Sequence, residues 1–280
     1  MTLERTPVRV VEREVVDCRG GEHAARPDLV TVEEPLEIRL HGEAVAVIMR
    51  TPLDDFDLVA GFLLTEGLID RPGQLGAISY CMDAEPPNLE NIVEVRLAEG
   101  VGFDFDRLRR NFYASSSCGV CGKASIDHIA AQAPPLSGAD FRIDAETLYG
   151  LSDKLRQAQK VFDQTGSLHA AGLFDRGGEL LALREDVGRH NAVDKLVGSF
   201  LLCDSLPPGQ SLLMVSGRTS FEIVQKARMA GIAVVAAVSG PSSLAVDLAR
   251  EAGMTLLGFL RGRGFNIYSG ACRITHTEHP

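Results

Sequence analysis

Between Ala170 and Leu260 the chain alternates strand-like and helix-like stretches, and few folds accept that pattern. Two apolar runs, Ala170–Phe174 and Leu180–Leu183, flank a turn at Asp175–Glu179. The run Asn191–Leu202 then has helical spacing, and Leu212–Val215 is a short fully apolar strand. A helix (Ser220–Ala230), a strand (Ile232–Val238), a helix (Ser242–Glu251) and a strand (Thr255–Leu260) complete the series. Strand–helix alternation of this kind builds a sheet covered on both faces, so the class is α/β. In such sheets ligands bind at the carboxyl ends of the strands. If the loops after Leu183, Val215 and Leu260 point the same way, each strengthens the reading of the others as a site.

The preceding residues have a different pattern. Leu36–Leu40 and Ala44–Met49 are strand-like, with His41-Gly42-Glu43 between them as in a tight hairpin. Thr51 is placed to N-cap a helix, with Pro52 in its first turn, Asp54 and Asp55 at the positive dipole end and Gly67 at its stop. Phe56, Val59, Phe62 and Leu63 form its apolar face. Ala77–Met82 and Ile92–Leu97 add two strands, giving a small α+β domain. Val8–Val16 can form an edge strand, and the rest of the first thirty or so residues reads as a loose lead-in. A linker is expected at Ala131–Gly138, after which Asp144 caps a helix carrying Leu148, Leu151, Leu155 and Phe162. The expected division is 1–140, α+β with a flexible cysteine loop, and 141–280, α/β.

Composition narrows the function classes. With 45% apolar and 24% charged residues, the 280-residue chain has the balance of a soluble globular protein. Its net charge of −10 argues against general binding to nucleic acid or to an anionic membrane, though a local basic pocket remains compatible. Six scattered cysteines are not a secreted disulfide framework. No signal peptide is visible, and the most apolar window, Gly231–Leu260, is interrupted by Pro241, Asp247, Arg250 and Glu251. A cytoplasmic location is expected.

The reactive chemistry concentrates in Ser115-Ser116-Ser117-Cys118-Gly119-Val120-Cys121-Gly122-Lys123. A thiolate is the nucleophile of sulfur chemistry, and a nearby cation or helix N-terminus favours it. Lys123 lies two residues past Cys121, and Lys123–Gln132 has the spacing of a short helix. Such a pair can hold half a zinc site, cycle as a dithiol or carry sulfur as a persulfide. Zinc is under-supplied: there is no second CxxC, and only His128 and His169 are at hand. No structural metal is expected. Redox cycling is disfavoured because the pair does not follow a strand early in a βαβ unit.

Three junctions carry further polar groups. Glu185–Lys195 (EDVGRHNAVDK) leaves a strand and enters a helix, and so many charged types there favour a site over a capped, solvated first turn. Ser216–Ser220 (SGRTS) can hold a phosphate at a helix N-terminus or simply cap that helix. Phe259-Leu260-Arg261-Gly262-Arg263-Gly264 offers two arginines separated by glycine, suited to phosphates and flat bases, or to a charged hairpin turn. The triplet His169-Ala170-Ala171 lacks the glutamate of a zinc deaminase, and the CxxC precedes it rather than follows it. Deamination is disfavoured.

Taken together, SCGVCGK, Arg184–Lys195 (REDVGRHNAVDK), Ser216–Ala227 (SGRTSFEIVQKA) and Gly258–Gly270 (GFLRGRGFNIYSG) resemble the formate dehydrogenase accessory sulfurtransferases, FdhD. The resemblance spans about Pro35 to Gly270. It implies a homodimeric cytoplasmic protein with a C-terminal three-layer α/β/α domain of cytidine-deaminase-like fold. It also implies that sulfur is taken from a cysteine desulfurase and passed to the molybdenum (or tungsten) bis-guanine-dinucleotide cofactor before insertion into apo-formate dehydrogenase. By the same resemblance Cys118 carries the persulfide, Cys121 assists, and Phe259, Leu260, Arg261, Gly262, Arg263 and Gly264 contact the cofactor. The competing expectation is a cofactor-binding chaperone that transfers no sulfur.

Overall fold

The computed structural model describes residues 8–82, 84, 89–102, 133, 136 and 140–276. In chain order these form β1 (Val10–Arg19), β2 (Glu22–Thr31), β3 (Glu34–Leu40), β4 (Glu43–Arg50), α1 (Asp55–Thr65), β5 (Leu75–Tyr80) and β6 (Ile92–Leu97). Then come β7 (Ile143–Asp144), α2 (Ala145–Tyr149), α3 (Leu151–Ala158), α4 (Lys160–Thr165), β8 (His169–Phe174), β9 (Leu180–Asp186), α5 (Arg189–Leu201) and β10 (Leu212–Val215). Last are α6 (Phe221–Met229), β11 (Val234–Ala237), α7 (Ser243–Glu251), β12 (Thr255–Arg261), β13 (Gly264–Ser269) and β14 (Ile274–Thr275). CxxC and the expected helix Lys123–Gln132 lie outside the described residues.

The alternating region forms a six-stranded sheet of order β13-β12-β11-β10-β8-β9. Strands β10, β11 and β12 are parallel, β8 and β9 form a hairpin, and β13 folds back antiparallel to β12. Each crossover (β9 to β10, β10 to β11, β11 to β12) steps the same way across the sheet, so a common handedness puts α5, α6 and α7 on one face. Their buried residues, among them Val193, Leu196, Ile223, Val224, Leu248 and Ala249, do share a core with Ala171, Leu213, Val215, Val235 and Ala237. The opposite face, through Ala170, Phe174, Leu212, Met214, Val234 and Leu257, is covered by Leu148, Leu151 and Leu155 of α2 and α3.

A four-stranded sheet, β4-β3-β6-β5, contributes Leu36, Ile38, Leu40, Val93 and Val95 to the same core as α5–α7. Helices α1 and α5 cross between the two sheets at their backbones. A Cβ on Gly61 would stand 1.8 Å from the Asp194 carbonyl oxygen, and one on Gly198 would stand 1.8 Å from that of Asp57. Only glycine permits this approach. Of the expected linker, Ala133 and Leu136 are described, and both pack against this core.

Local expectations held unevenly. Asp144 does cap α2, accepting from the Glu146 amide at 2.9 Å, but the expected single helix is broken at Gly150 and Gln159 into α2, α3 and α4. Thr51 does not cap α1. That helix begins at Asp55 after Leu53 and Asp54 turn through positive φ (74° and 57°), while Thr51 is wholly buried in tertiary contacts. The lead-in is not loose: β1 and β2 pair over ten residues through a turn at Gly20-Gly21. Charge and Pro27 obscure β2 in the sequence, and its pairing is permissible because the ribbon has a solvent-facing edge.

Candidate functional site

The carboxyl ends of β9, β10, β11 and β12 lie at one edge of the sheet, and the three polar junctions meet there. The Ser216 hydroxyl accepts from the Ala170 amide at 2.9 Å, and the Ser216 amide donates to the Ala170 carbonyl at 3.0 Å. Thr219 and Ser242 exchange backbone bonds with Gly240 and Thr219, tying the β10 and β11 loops together. The Phe259 amide donates to Ser239 at 3.2 Å and the Arg261 Nε to the Val238 carbonyl at 3.0 Å. A Cβ on Gly217 would stand 3.2 Å from His169 Nδ1 and 4.0 Å from the Arg189 Cδ. Segments distant in sequence thus converge on a patch rich in arginine and histidine.

This edge opens into a cavity of about 670 Å³, lined by Arg156, Gln159, His169, Ser216, Arg261 and Gly262 among others. Ser152, Asp153 and Ser167 add polar groups, and Phe162 supplies an aromatic wall on which the Arg156 guanidinium stacks at 4.6 Å. Burial holds His169 below its ordinary pKa, and Arg189 pushes it the same way; Asp186 opposes and Arg218 adds. A neutral imidazole among guanidinium groups can donate or accept, while the arginines suit an anion. Such a cavity fits a phosphorylated or otherwise anionic ligand with a flat group.

The expected cofactor segment is divided by the fold. It is a tight hairpin turn at the end of β12: β12 runs to Arg261, Gly262 (φ 51°) and Arg263 make a two-residue turn, and Gly264 opens β13. Arg261 and Gly262 line the cavity. Arg263 points its fork at Glu146, 2.6 Å away, and stacks over Tyr149 at 5.0 Å. Leu260 is fully buried in the core. Phe259 bulges from the strand at φ 54°, half-exposed, with its ring where a Cβ on Gly240 would stand at 2.8 Å. Positive φ at a bulky residue is a genuine strain, and such strain tends to persist at functional positions.

The run Glu185–Lys195 corrects the weighting its composition suggested. Glu185 accepts from the amides of Val161 and Phe162 at 3.0 and 2.9 Å, capping α4. Asp186 and Lys195 form a wholly buried pair at 2.8 Å. Asp186 also accepts from the amides of Thr51 and Gly188 and from the Asn191 side chain, while Lys195 donates to the Thr51 carbonyl. Asp194 pairs with Lys226 at 2.9 Å and accepts from Thr65 at 2.7 Å. Burial pushes the Asp194 carboxyl up to about 6 against the pull of Lys226 and Thr65. Burial lowers Lys226, but Asp194 and Glu66 overcome it and leave the ammonium above its ordinary value. These charges join the two sheets rather than face a ligand. Arg189 and His190 remain at the site edge, the latter 3.2 Å from the Ser220 hydroxyl. Ser220 stands at the N-cap of α6 without a side-chain cap bond.

Arg156, Gln159, Ser152 and Asp153 had no signal in the sequence. Ser152, Asp153 and Arg156 are polar positions of α3 beside buried Leu151 and Leu155, where solvated residues are expected, and buried Gln159 follows its last turn. Cys118 and Cys121 lie outside the described residues. Among the described residues, no group of three or more His, Cys, Asp or Glu could hold a metal ion, and no helix is long and apolar enough to cross a membrane.

The fold and this edge define a class first. A crystal structure titled as a putative formate dehydrogenase accessory protein from Desulfotalea psychrophila matches with a TM-score of 0.75 and 25% identity, covering 96% of this chain and 100% of that one. The mixed α/β architecture is therefore that of formate dehydrogenase accessory proteins. A family model described as the FdhD/NarQ family matches residues 31–275, and the chain belongs to that family. Relatives named sulfur carrier protein FdhD include that of Streptomyces avermitilis, 54% identical over 276 residues, covering 95% of this chain and 96% of the relative. The Mycobacterium tuberculosis protein of that name is 51% identical over 269 residues, covering 94% and 98%.

Proposed function

We propose that this protein is a sulfur carrier that loads a cysteine persulfide and delivers its sulfur to the molybdenum (or tungsten) bis-guanine-dinucleotide cofactor for formate dehydrogenase. Relatives at 45–54% identity carry the name sulfur carrier protein, which supports the carrier role. The observation that carries the acceptor's chemistry is the arginine- and histidine-lined cavity at the strand ends, large enough for a nucleotide arm. In this reading Arg261 and Arg156 meet phosphate oxygens, and Gly262 leaves room for the ligand to approach.

Loading is a thiol exchange. The Cys118 thiolate attacks the outer sulfur of a desulfurase persulfide, the new S–S bond forms, and the desulfurase cysteine leaves as thiolate. Cys121 assists release: its thiolate attacks Cys118, forming a disulfide and freeing the sulfur as sulfide for the bound cofactor. An external thiol then reduces the disulfide. The partners are a cysteine desulfurase, the cofactor and apo-formate dehydrogenase, and the working form is a cytoplasmic homodimer. The sheet order, with its hairpin edge and three parallel strands, supports a cytidine-deaminase-like arrangement for residues 141–280.

The test is intact mass after incubation with a desulfurase and cysteine. One added sulfur, reversible by reductant and mapped to Cys118, is expected. A Cys118→Ala variant that still supports formate dehydrogenase fully would replace this reading with a chaperone that shields the cofactor.

A further inference from the structure

A second constellation lies on the outer face of the four-stranded sheet, away from the strand-end cavity. Side chains alternate across a sheet, and here the alternation separates two chemistries. Ile38, Leu40, Val93, Val95 and Ile78 face the core, so Arg39, Glu94, Arg96 and Ser79 face outward. Pairing aligns Arg39 with Glu94 and Glu94 with Ser79 in one row. The Cys81 amide continues the ladder, donating to the Ile92 carbonyl at 2.9 Å, and its thiol returns to the outward side. Together with His41, these residues line an open cavity of about 530 Å³.

The charges in it are not equivalent. Arg39 donates to Glu37 at 2.6 Å and brings its Nη1 to 4.0 Å from the Cys81 sulfur. Glu94 accepts from the Gly42 amide at 2.6 Å. His41 accepts from the Leu97 amide through Nε2 at 3.4 Å, which leaves the proton on Nδ1. Arg96 is exposed, and its side chain makes no hydrogen bond or ion pair among the described residues. One cavity therefore joins a thiol, a guanidinium beside its sulfur and a second guanidinium whose donors meet no partner among the described residues. That arrangement suits a small anion bearing an electrophilic sulfur, because the anion can dock on Arg96 while its sulfur meets Cys81.

We propose that Cys81 is a second sulfur-loading site, which takes sulfane sulfur from a small anionic donor of the thiosulfonate class. The Cys81 thiolate attacks the outer sulfur of thiosulfate. A Cys–S–S bond forms, the donor's S–S bond breaks, and its electron pair leaves on sulfite. Charge balances without an added oxidant: a thiolate and a dianion become a persulfide anion and a dianion. Arg96 and Arg39 hold the sulfonate oxygens before and after transfer. The chemistry stands on this cavity alone; its use in a carrier rests on the reading above, to which it adds a loading route independent of the desulfurase.

The experiment uses the full chain with thiosulfate and no desulfurase, reading sulfite release and the position of the added sulfur by peptide mass. Cys18, Cys203 and Cys272 are exposed thiols in the same molecule and serve as internal references. Cys81 should gain sulfur at least about tenfold faster than any of them, the scale of one charge-assisted contact. Arg96→Met should remove most of that advantage, Arg96→Lys should restore part, and neither should change alkylation of Cys81 by neutral iodoacetamide. Cys118→Ala should leave Cys81 loading intact. Cys81 reacting no faster than the reference thiols, or Arg96→Met slowing iodoacetamide equally, would overturn the inference. Desulfurase loading of Cys118 in the same preparation reports separately on the carrier reading.

Discussion

Lys195→Met distinguishes a structural role for the Glu185–Lys195 run from a ligand-binding one. Lys195 and Asp186 are both wholly inaccessible to solvent and 2.8 Å apart. Removing the ammonium leaves a carboxylate buried with hydrogen bonds from Thr51, Gly188 and Asn191 but no counter-charge, and strips the Thr51 carbonyl of its donor. Breaking one side of such a pair typically costs about 3–5 kcal/mol. For a chain of this size that corresponds to a fall in Tm of roughly 6–10 °C. Combining Lys195→Met with Asp186→Asn removes the stranded anion and should recover part of the loss, so the double variant is less destabilised than the sum of the singles. Urea unfolding of the wild type, both singles and the double is the assay, with guanosine diphosphate binding measured at a temperature where all are folded. A loss below about 1 kcal/mol for Lys195→Met, or weakened nucleotide binding without loss of stability, would refute the structural assignment.

Other outcomes follow from the same geometry. Gly198→Ala drives a methyl into the Asp57 carbonyl of α1 and should cost at least about 1–3 kcal/mol, read by urea unfolding; a neutral result would mean the helices do not cross this closely. Arg261→Ala should weaken guanosine diphosphate roughly tenfold in calorimetry, whereas Arg263→Ala should change it only about twofold because its fork is engaged by Glu146. The reverse ranking would argue against the cavity as the nucleotide site. Burial, with help from Arg189 and Lys226, lowers His190 from 6.5 to about 4. The unfolded chain therefore takes up this proton first, and the contribution of neutral His190 to stability is lost as pH falls from about 6.5 toward about 4. His190→Gln should flatten that part of the stability–pH curve, and an unchanged slope between pH 7 and pH 4.5 would count against it.

The inner strands of the sheet were legible in the sequence because they are buried on both faces. Leu212–Val215 and Val234–Ala237 are unbroken apolar runs set between helices whose polar faces keep a 3.6-residue period. The Ser216, Arg189 and Arg261 segments converge in the structure, since strands in parallel share a carboxyl edge. What each polar residue does there was not legible. Asp186 and Arg189 stand three apart in one charged run, yet one is buried against Lys195 and the other lies beside Gly217. Local sequence carries charge and period but not the partner, and here the partners sit 100 or more residues away: Thr51 for Asp186 and Lys195, Thr65 for Asp194. The same holds for Arg261 and Arg263, identical in type and both next to Gly262, which a two-residue turn sends to a cavity wall and to Glu146 respectively. Sequence by itself determined the class of fold, because that depends on period and handedness. Tertiary structure alone decided which charges are left for a ligand, because that depends on what each side chain meets across the core.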